Sequence, residues 1–134
     1  MRLRLTACLF VFATVTLPAV AQVPATCGDA ATQAAANQCA SEKFSTADKQ
    51  LNAVYAELAG KLASDNKGYL REAQRAWISF RDKECTLRTG GGPAQQGSIW
   101  PMLYTECRTA LTRARIEDLK AQVKCPGGDL SCPL

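Results

Sequence analysis

The stretch QRAWISFRDKEC, residues Gln74–Cys85, decides the fold of this chain. An apolar stripe at helical spacing runs through it and its N-terminal flank, formed by Leu70, Ala73, Trp77 and Phe80. Gln74, Trp77 and Arg81 share a face of the same helix, at positions i, i+3 and i+7. Few helices bury a glutamine, an arginine and a cysteine beside apolar side chains. The stretch therefore predicts a central helix that other elements surround.

An alanine-rich helix is predicted before this one. Asp29 is a suitable N-cap for a helix over Ala30–Phe44. The residues Ser45–Asp48 either continue that helix or cap a new one, since they have capping-box spacing. A strict helical period then follows in Leu51, Val54, Tyr55, Leu58 and Leu62. The sequence leaves open whether this region holds one helix or two.

A turn cluster at Ser64–Gly68 precedes the central helix, which we predict over Tyr69–Leu87. A glycine-rich loop, Thr89–Gly97, leads to a third helix capped by Ser98. The apolar stripe of this helix is Leu103, Cys107, Leu111, Ala114, Ile116, Leu119 and Val123. Short loops between long helices imply antiparallel neighbours. We therefore expect an all-α fold, a small antiparallel helical bundle or hairpin of three to four helices, held by disulfides.

The first residues have the pattern of a secretory signal peptide, predicted over residues 1–21. Arg2 and Arg4 precede an apolar run, and Ala19–Ala21 forms a small-x-small cleavage site. The run is too short to span a membrane, and Cys8 precedes it instead of following it, unlike a lipoprotein acceptor. We expect residues 22–124 to form the helical domain, residues 125–134 to form a C-terminal tail, and the protein to be periplasmic or secreted.

Six cysteines remain after the signal peptide, and we expect disulfides: Cys27, Cys39, Cys85, Cys107, Cys125 and Cys132. Metal binding is disfavoured because the chain has neither a histidine nor a C-x-x-C pair. An antiparallel helix pair would bring Cys85 level with Cys107, and a flexible turn permits a local bond between the last two cysteines. Cys27 and Cys39 are twelve residues apart. If all twelve steps were helical, their Cα atoms would be ~18 Å apart, whereas a disulfide requires a Cα–Cα distance below ~7 Å. Either the chain before Ala30 folds back, or the first helix is broken, or each of the two cysteines has another partner, and the sequence leaves these alternatives open.

Charge and composition restrict the function. The formal net charge is +4, and two of those charges leave with the signal peptide. So mild a balance argues against a nucleic-acid partner, and no later segment is long enough to span a membrane. Without a histidine, a Ser-His or Cys-His catalytic pair is impossible. We therefore expect a binding protein without cofactor or metal, and rank a glycan hydrolase using Asp48 or Asp82 last.

Polar side chains on otherwise apolar helix faces form one candidate set, Asp48, Asn52, Gln74, Arg81 and Arg115. A carboxylate, two amides and two guanidinium groups could converge between the helices, either as a binding site or as a structural network. We favour the structural network, in which Asp48 pairs with an arginine so that no buried charge stands alone.

Several short pieces follow one another along the chain: Cys27 with Thr32-Gln33 and Asn37-Gln38-Cys39; Ala47-Asp48 with Leu51-Asn52 and Tyr55; Leu70 with Gln74, Trp77, Arg81-Asp82 and Cys85; and Cys107 with Leu111-Thr112, Arg115 and Leu119. This ordered set resembles the LprI-type lysozyme-inhibitor family of small secreted bacterial proteins. The resemblance implies an all-helical periplasmic or secreted domain and inhibition of lysozyme.

The loop between the second and third helices is the candidate contact with a partner. Loops on rigid scaffolds commonly carry binding residues, and this one offers Gly91, Gln95 and Trp100. Under the family resemblance the loop would occlude the cleft of lysozyme. The alternative is an envelope module that binds cell-wall glycan or another protein without inhibiting lysozyme.

Overall fold

The computed structural model describes residues 26–92, 97–125 and 132, and in these residues all regular structure is helical. Three long helices are present: α1 (Gln33–Lys61), α2 (Ser64–Arg88) and α3 (Trp100–Val123). Short 3₁₀ turns precede the first and third of them, at Cys27–Asp29 and Gly97–Ile99. The predicted all-α class and the number of helices are thus confirmed. The predicted signal peptide, Gln95 and most of the C-terminal tail lie outside the described residues.

The three helices form an up-down-up bundle. At one end, Asn37 Nδ2 donates to the Ser98 carbonyl at 3.1 Å, which joins the start of α1 to the start of α3. At the other end, Lys61 Nζ donates to the Val123 carbonyl at 3.2 Å. The first and third helices are therefore parallel, and α2 runs antiparallel to both. This is the arrangement that the short connections predict for consecutive helices.

Helix α1 is continuous, which answers the question that the sequence left open. Thr46 lies inside the helix, and its hydroxyl donates to the Glu42 carbonyl one turn earlier at 3.0 Å. The predicted N-cap was wrong: Thr32 caps α1, its Oγ1 accepting from the Ala35 N–H at 3.1 Å. The Asp29 carboxylate instead accepts a hydrogen bond from Thr26. Both residues are good caps, and the turn at Cys27–Asp29 decides between them.

The predicted turn at Ser64–Gly68 was also wrong, because these residues form the first turn and a half of α2. Two residues suffice for the reversal, Leu62 and Ala63, which both adopt extended backbone. Asp65 lies in the first helical turn, where a carboxylate interacts favourably with the helix dipole. Polar, turn-forming residues at this point are therefore compatible with a helix start.

The core is centred on the contact between α1 and α3, which is the most extensive in the bundle. The predicted central position of the helix that contains Gln74–Cys85 was therefore wrong, because α2 packs mainly on α3. Ala36, Ala40 and Ala47 are buried along the first half of α1 and permit a close approach. Further along, a cluster of larger side chains fills the space between all three helices: Leu51, Leu58, Leu62, Leu70, Ile116 and Leu119. Burial of this apolar surface is the main stabilising contribution of the bundle.

Two of the predicted apolar stripes are rotated relative to the faces that the structure buries. On α2, Leu70 is buried and Trp77 half-buried, but Ala73 and Phe80 are exposed, and Gln74, Arg81 and Cys85 are buried instead. On α3, Leu103 and Ala114 are exposed, whereas the buried residues are Met102, Thr109, Thr112, Ile116 and Leu119. Polar residues complete both buried faces, so a stripe drawn through apolar residues alone misses their centre.

Three disulfides connect the elements. Cys85–Cys107 joins α2 to α3, and Cys125–Cys132 closes a short local loop, as predicted. The third bond joins Cys27 to Cys39, with Cα atoms 5.6 Å apart. It forms because α1 begins only at Gln33 and the preceding turn folds Cys27 back along the helix. Of the alternatives left open, the fold-back of the preceding chain is the one realised.

None of the helices described here is long and apolar enough to cross a bilayer. The same residues hold no group of three or more histidine, cysteine or carboxylate side chains arranged to bind a metal ion. Three disulfides are typical of proteins that fold in an oxidising compartment.

Candidate functional site

Three aromatic rings and two guanidinium groups alternate in the space between α1, α2 and α3. The Arg81 guanidinium lies 5.3 Å from the ring centroids of both Phe44 and Trp77. That of Arg108 lies 4.0 Å from the Phe44 centroid and 5.5 Å from that of Tyr104. All are within the range of cation–π attraction. Together with Asp82, these five residues form what we call the arginine cluster.

Asp82 supplies the negative charge of the arginine cluster. Its Oδ1 accepts a hydrogen bond from Arg81 Nε at 2.8 Å. The Nε of Arg108 lies 3.2 Å from the same oxygen, at ion-pair distance but without hydrogen-bond geometry. The Arg81 side chain is only 5% exposed and that of Asp82 is 39% exposed. A nearly buried guanidinium is thus compensated by one carboxylate and two ring faces.

A second polar pair connects α2 to α3 farther from the disulfide. Arg115 Nε donates to Oε1 of the buried Gln74 at 3.3 Å. The guanidinium of Arg115 also lies 5.9 Å from the Trp77 ring centroid. Burial lowers the pKa of Arg115 from its ordinary value, and the charge of Asp118 partly offsets that effect. Arginine stays protonated at physiological pH despite such a shift, so this is a partly desolvated cation.

The five residues of the predicted polar network are therefore divided among three places. Gln74 and Arg115 are together, and Arg81 is in the arginine cluster. Asp48 and Asn52 lie apart on α1, where Asn52 Nδ2 donates to Asp48 Oδ2 at 3.3 Å on the exposed side. The expected Asp48–arginine pair is wrong, since Asp82 takes that role. Asp48 and Asn52 each follow a buried residue, so they lie about 100° from the buried face of the helix.

Sequence reasoning singled out Trp77 and Arg81 of the arginine cluster but missed Phe44, Tyr104 and Arg108. A signal existed for two of these residues. Arg108 lies seven positions before Arg115, on the same face of α3, and it directly follows Cys107. Phe44 is the one aromatic residue in the first half of α1. Only the packing of three helices, however, places the ring of Phe44 between two guanidinium groups.

The start of the loop after α2 is a Schellman motif. Gly91 N–H donates to the Thr86 carbonyl at 2.9 Å and Gly90 N–H to the Leu87 carbonyl at 3.1 Å. Gly90 has φ +75°, in the left-handed region that favours glycine at this position. The Thr89 hydroxyl adds a bond to the Cys85 carbonyl at 2.7 Å. The exit from α2 is therefore well defined by its own hydrogen bonds.

Trp100 connects the C-terminal end of the same loop to its N-terminal end. Its indole Nε1 donates to the Gly91 carbonyl at 2.8 Å. Its ring stacks on Tyr104, with centroids 4.5 Å apart and planes 12° from parallel. Of the three predicted contact residues, the structure thus brings Gly91 and Trp100 together. Trp100 is half-buried and closes the base of the loop, so only part of its ring faces solvent.

Exposed apolar side chains surround this loop. Leu87, Ile99 and Leu103 are 75%, 45% and 41% exposed, respectively. Leu87 lies on the last turn of α2, Ile99 ends the 3₁₀ turn before α3, and Leu103 lies on the first turn of α3. The Cys85–Cys107 disulfide joins the same two helices. We call these three residues the loop-end surface. Apolar side chains held exposed on a braced framework are suited to binding a protein partner.

Neither the arginine cluster nor the loop-end surface has the groups that acid–base catalysis requires. The chain contains no histidine, and two guanidinium groups occupy the carboxylate of Asp82 in the arginine cluster. General acid–base catalysis needs a proton donor or acceptor within reach of a substrate. The loop-end surface consists of hydrocarbon side chains. Both sets of residues are compatible with the binding role that the sequence predicts.

Comparison with known proteins agrees with this interpretation. A family model described as "Lysozyme inhibitor LprI" matches residues 25–119. An uncharacterised protein of Rhizobium meliloti (strain 1021) is 36% identical over 119 residues, which cover 78% of this chain and 84% of that protein. No solved structure matches the chain. The family is one of inhibitors and not of enzymes, and its match extends through the helices described above. The chain belongs to the LprI lysozyme-inhibitor family.

Proposed function

We propose that this protein is an exported lysozyme inhibitor that binds its target enzyme through the loop-end surface. Family membership is the observation that carries the proposal. Three disulfides fit a periplasmic or secreted protein. The loop beside this surface would occlude the enzyme's cleft.

The loop-end surface is preferred because it is preorganised. A disulfide, a Schellman motif and the Trp100–Gly91 hydrogen bond hold both stems of the loop before any partner arrives. Rigid presentation reduces the entropy lost on binding. Each exposed apolar side chain at this end would add buried area in a complex without a conformational change in the scaffold.

Charge is not the expected source of affinity. The formal net charge of the chain is +4, and animal-type lysozymes are themselves strongly basic. Long-range attraction would therefore be weak or unfavourable, and apolar contact has to supply the affinity. We expect inhibition to be insensitive to salt, or to strengthen slightly as sodium chloride screens the repulsion.

The test is residual lysozyme activity with purified protein and matched variants. Ile99→Asp in the loop-end surface is expected to raise the inhibitory concentration by about tenfold or more, because a carboxylate would have to be desolvated in the interface. Ile78→Asp is the control, since Ile78 is exposed to a similar degree, 40% against 45%, but lies in the middle of α2. Both animal-type and bacterial muramidases should be assayed.

Two results would contradict the proposal. One is no inhibition by the wild-type protein at micromolar concentration against any muramidase. The other is an equal effect of the two variants, which would remove the loop-end surface from the interface. If the protein sediments with insoluble peptidoglycan and leaves lysozyme unaffected, the alternative of a glycan-binding envelope module would replace inhibition.

A further inference from the structure

A pocket of about 340 Å³ lies at the end of the bundle opposite the loop-end surface. It is formed where α1 ends, α2 begins and α3 approaches its C-terminus. Its apolar wall consists of Leu62, Tyr69, Leu70 and Ala73. Arg115 and Gln122 provide polar groups on the wall formed by α3.

Arg115 differs from the other two arginines that lie between the helices. Arg81 and Arg108 share the carboxylate of Asp82. Within the described residues, no carboxylate lies at ion-pair distance from Arg115, and its one hydrogen bond is that from Nε to Gln74. The terminal N–H groups of its guanidinium thus have no protein acceptor there. A partly desolvated cation without a carboxylate at ion-pair distance is costly, and the same desolvation lowers the pKa of Arg115.

The orientation of Arg115 is already fixed. Gln74 accepts from Nε, and the Trp77 ring lies 5.9 Å from the guanidinium. With Nε engaged, the two terminal nitrogens remain as a fork of donors. A planar fork of this kind matches the two oxygens of a carboxylate. Because the fork adjoins an apolar wall, the complementary ligand has a carboxylate at one end and hydrocarbon at the other.

We infer that this pocket binds a small carboxylate with a short apolar body, its carboxylate on Arg115 and its hydrocarbon against Leu62 and Leu70. The cavity is at the lower end of the volume range of small-molecule sites, so the apolar part is limited to a few carbon atoms. A free carboxylic acid and the C-terminus of a peptide ending in an apolar residue share this chemistry. Inorganic anions lack the apolar part.

The inference is independent of lysozyme binding. Arg115 is fifteen residues from Trp100 along α3, a distance of about 22 Å at the rise of an α-helix. The two sites therefore have separate ligands and separate tests. Loss of one activity with retention of the other identifies which proposal has failed.

The experiment titrates the full-length protein with hexanoate, hexan-1-ol and inorganic phosphate, following backbone and arginine Nε–H signals by NMR. For a ligand of eight heavy atoms we expect a Kd on the order of 1 mM for hexanoate. Hexan-1-ol and phosphate should each bind at least tenfold more weakly, because each lacks one half of the recognised chemistry. The Arg115 Nε–H and the residues of the apolar wall should shift together.

Variants assign the binding to the pocket. Arg115→Gln should weaken hexanoate binding at least tenfold, whereas Arg113→Gln, an exposed arginine on the same helix, should not change it. Ala73→Leu provides a second variant should Arg115→Gln fail to fold. Position 73 is an exposed helical position, where leucine is a good helix former, so this variant should fold. The larger side chain would reduce the space in the pocket and should weaken hexanoate binding severalfold.

The outcomes are clear-cut. Equal affinity for hexanoate and hexan-1-ol, equal affinity for hexanoate and phosphate, or no binding of hexanoate at 20-fold the expected Kd (about 20 mM) would each overturn the inference. A further pair of probes, acetyl-Ala-Ala-Leu as the free acid and as the amide, separates the two ligand sources. If the acid binds more tightly than hexanoate and the amide does not bind, the pocket is specific for peptide C-termini. If hexanoate binds more tightly, the pocket is specific for free acids.

Discussion

Helix α3 packs against α1 and against α2 through different kinds of interaction. Toward α1, small apolar residues such as Ala36, Ala40 and Ala47 permit close packing. Toward α2, the contact is less extensive, and besides Leu70 it includes guanidinium groups, aromatic rings and a disulfide. We refer to these two contacts as the alanine seam and the arginine seam. The same helix thus has one partner attached by dispersion and burial, and another by directional and covalent interactions.

The difference explains how a small domain with alanine-rich sequence stays folded. The alanine seam gains stability from apolar burial and is intolerant of added volume. The arginine seam buries less apolar surface, so bonds with defined geometry are needed to fix α2. The loop-end surface lies at the end of α2, and its position therefore depends on the arginine seam. The following changes test this contrast in order of expected effect.

Removal of the Cys85–Cys107 disulfide should have the largest effect. The double substitution Cys85→Ala with Cys107→Ala removes a crosslink between residues separated by 22 positions in sequence. It should lower the free energy of unfolding by about 3 kcal/mol. Urea denaturation followed by circular dichroism measures this change. Inhibition of lysozyme should weaken as well, because the stems of the loop lose their brace.

Cys125→Ala with Cys132→Ala is the control for that prediction. Its two cysteines are separated by only 7 positions in sequence, and Cys125 follows the end of α3. Chain-entropy arguments give a smaller change, about 2 kcal/mol, and inhibition should not change. If both double substitutions reduce inhibition equally, the loop-end surface does not depend on the arginine seam.

Ala40→Leu should break the alanine seam. Ala40 is fully buried and packs in a cluster with Ala36 and Met102 of α3. The added volume has no space, so we expect a loss of about 2 kcal/mol in the free energy of unfolding. Ala53→Leu, on an exposed face of the same helix, should leave stability nearly unchanged. A neutral Ala40→Leu would show that the two helices are less tightly packed than described.

Arg81→Met tests the arginine seam without creating a large cavity. Methionine retains the aliphatic stem but removes the cation between Phe44 and Trp77, and Asp82 keeps only Arg108. We expect a loss of about 1.5 kcal/mol. Arg75→Met, at an exposed position of α2, is the matched control. If the two substitutions had equal effects on the urea midpoint, the cation–aromatic contacts would contribute nothing to stability.

Thr112→Val should have the smallest effect and the opposite sign. Thr112 is fully buried, and its hydroxyl has no hydrogen-bond partner among the described residues. Valine has nearly the same shape without the unsatisfied group, so we expect a gain of about 1 kcal/mol. Thr112→Ser separates the two parts of the side chain. It keeps the hydroxyl and removes the methyl group, so we expect Thr112→Ser to be destabilising. If Thr112→Val were also destabilising, a bound water would satisfy the hydroxyl, and the expectation would be wrong.

Much of the fold could be predicted from helical period and from cysteine chemistry. The period of Leu51, Leu58 and Leu62 identified a core face that the structure confirms. The same method placed Phe80 and Leu103 in the core, where they do not belong. A stripe of apolar residues assumes that polar residues face water. That assumption fails where a buried arginine finds a carboxylate and two rings, and such partners come from elements distant in sequence.

The candidate site was less accessible than the fold. The loop after α2 followed from its glycine content, but the hydrogen bond that joins Trp100 to Gly91 required the structure. The polar set was chosen from helix faces, and only Gln74 and Arg115 proved to be partners within it. Side chains that are adjacent in space need not share a helix face.

The sequence by itself determined the helical class, the oxidised cysteines, and the absence of histidine-based chemistry, because each follows from local period or residue inventory. Only the tertiary structure decided which carboxylate compensates the buried arginines, how Cys27 reaches Cys39, and which guanidinium has no carboxylate at ion-pair distance among the described residues. Those outcomes depend on the relative rotation of three helices. That rotation is set by side-chain volumes at all contacts together, and no single helix contains this information.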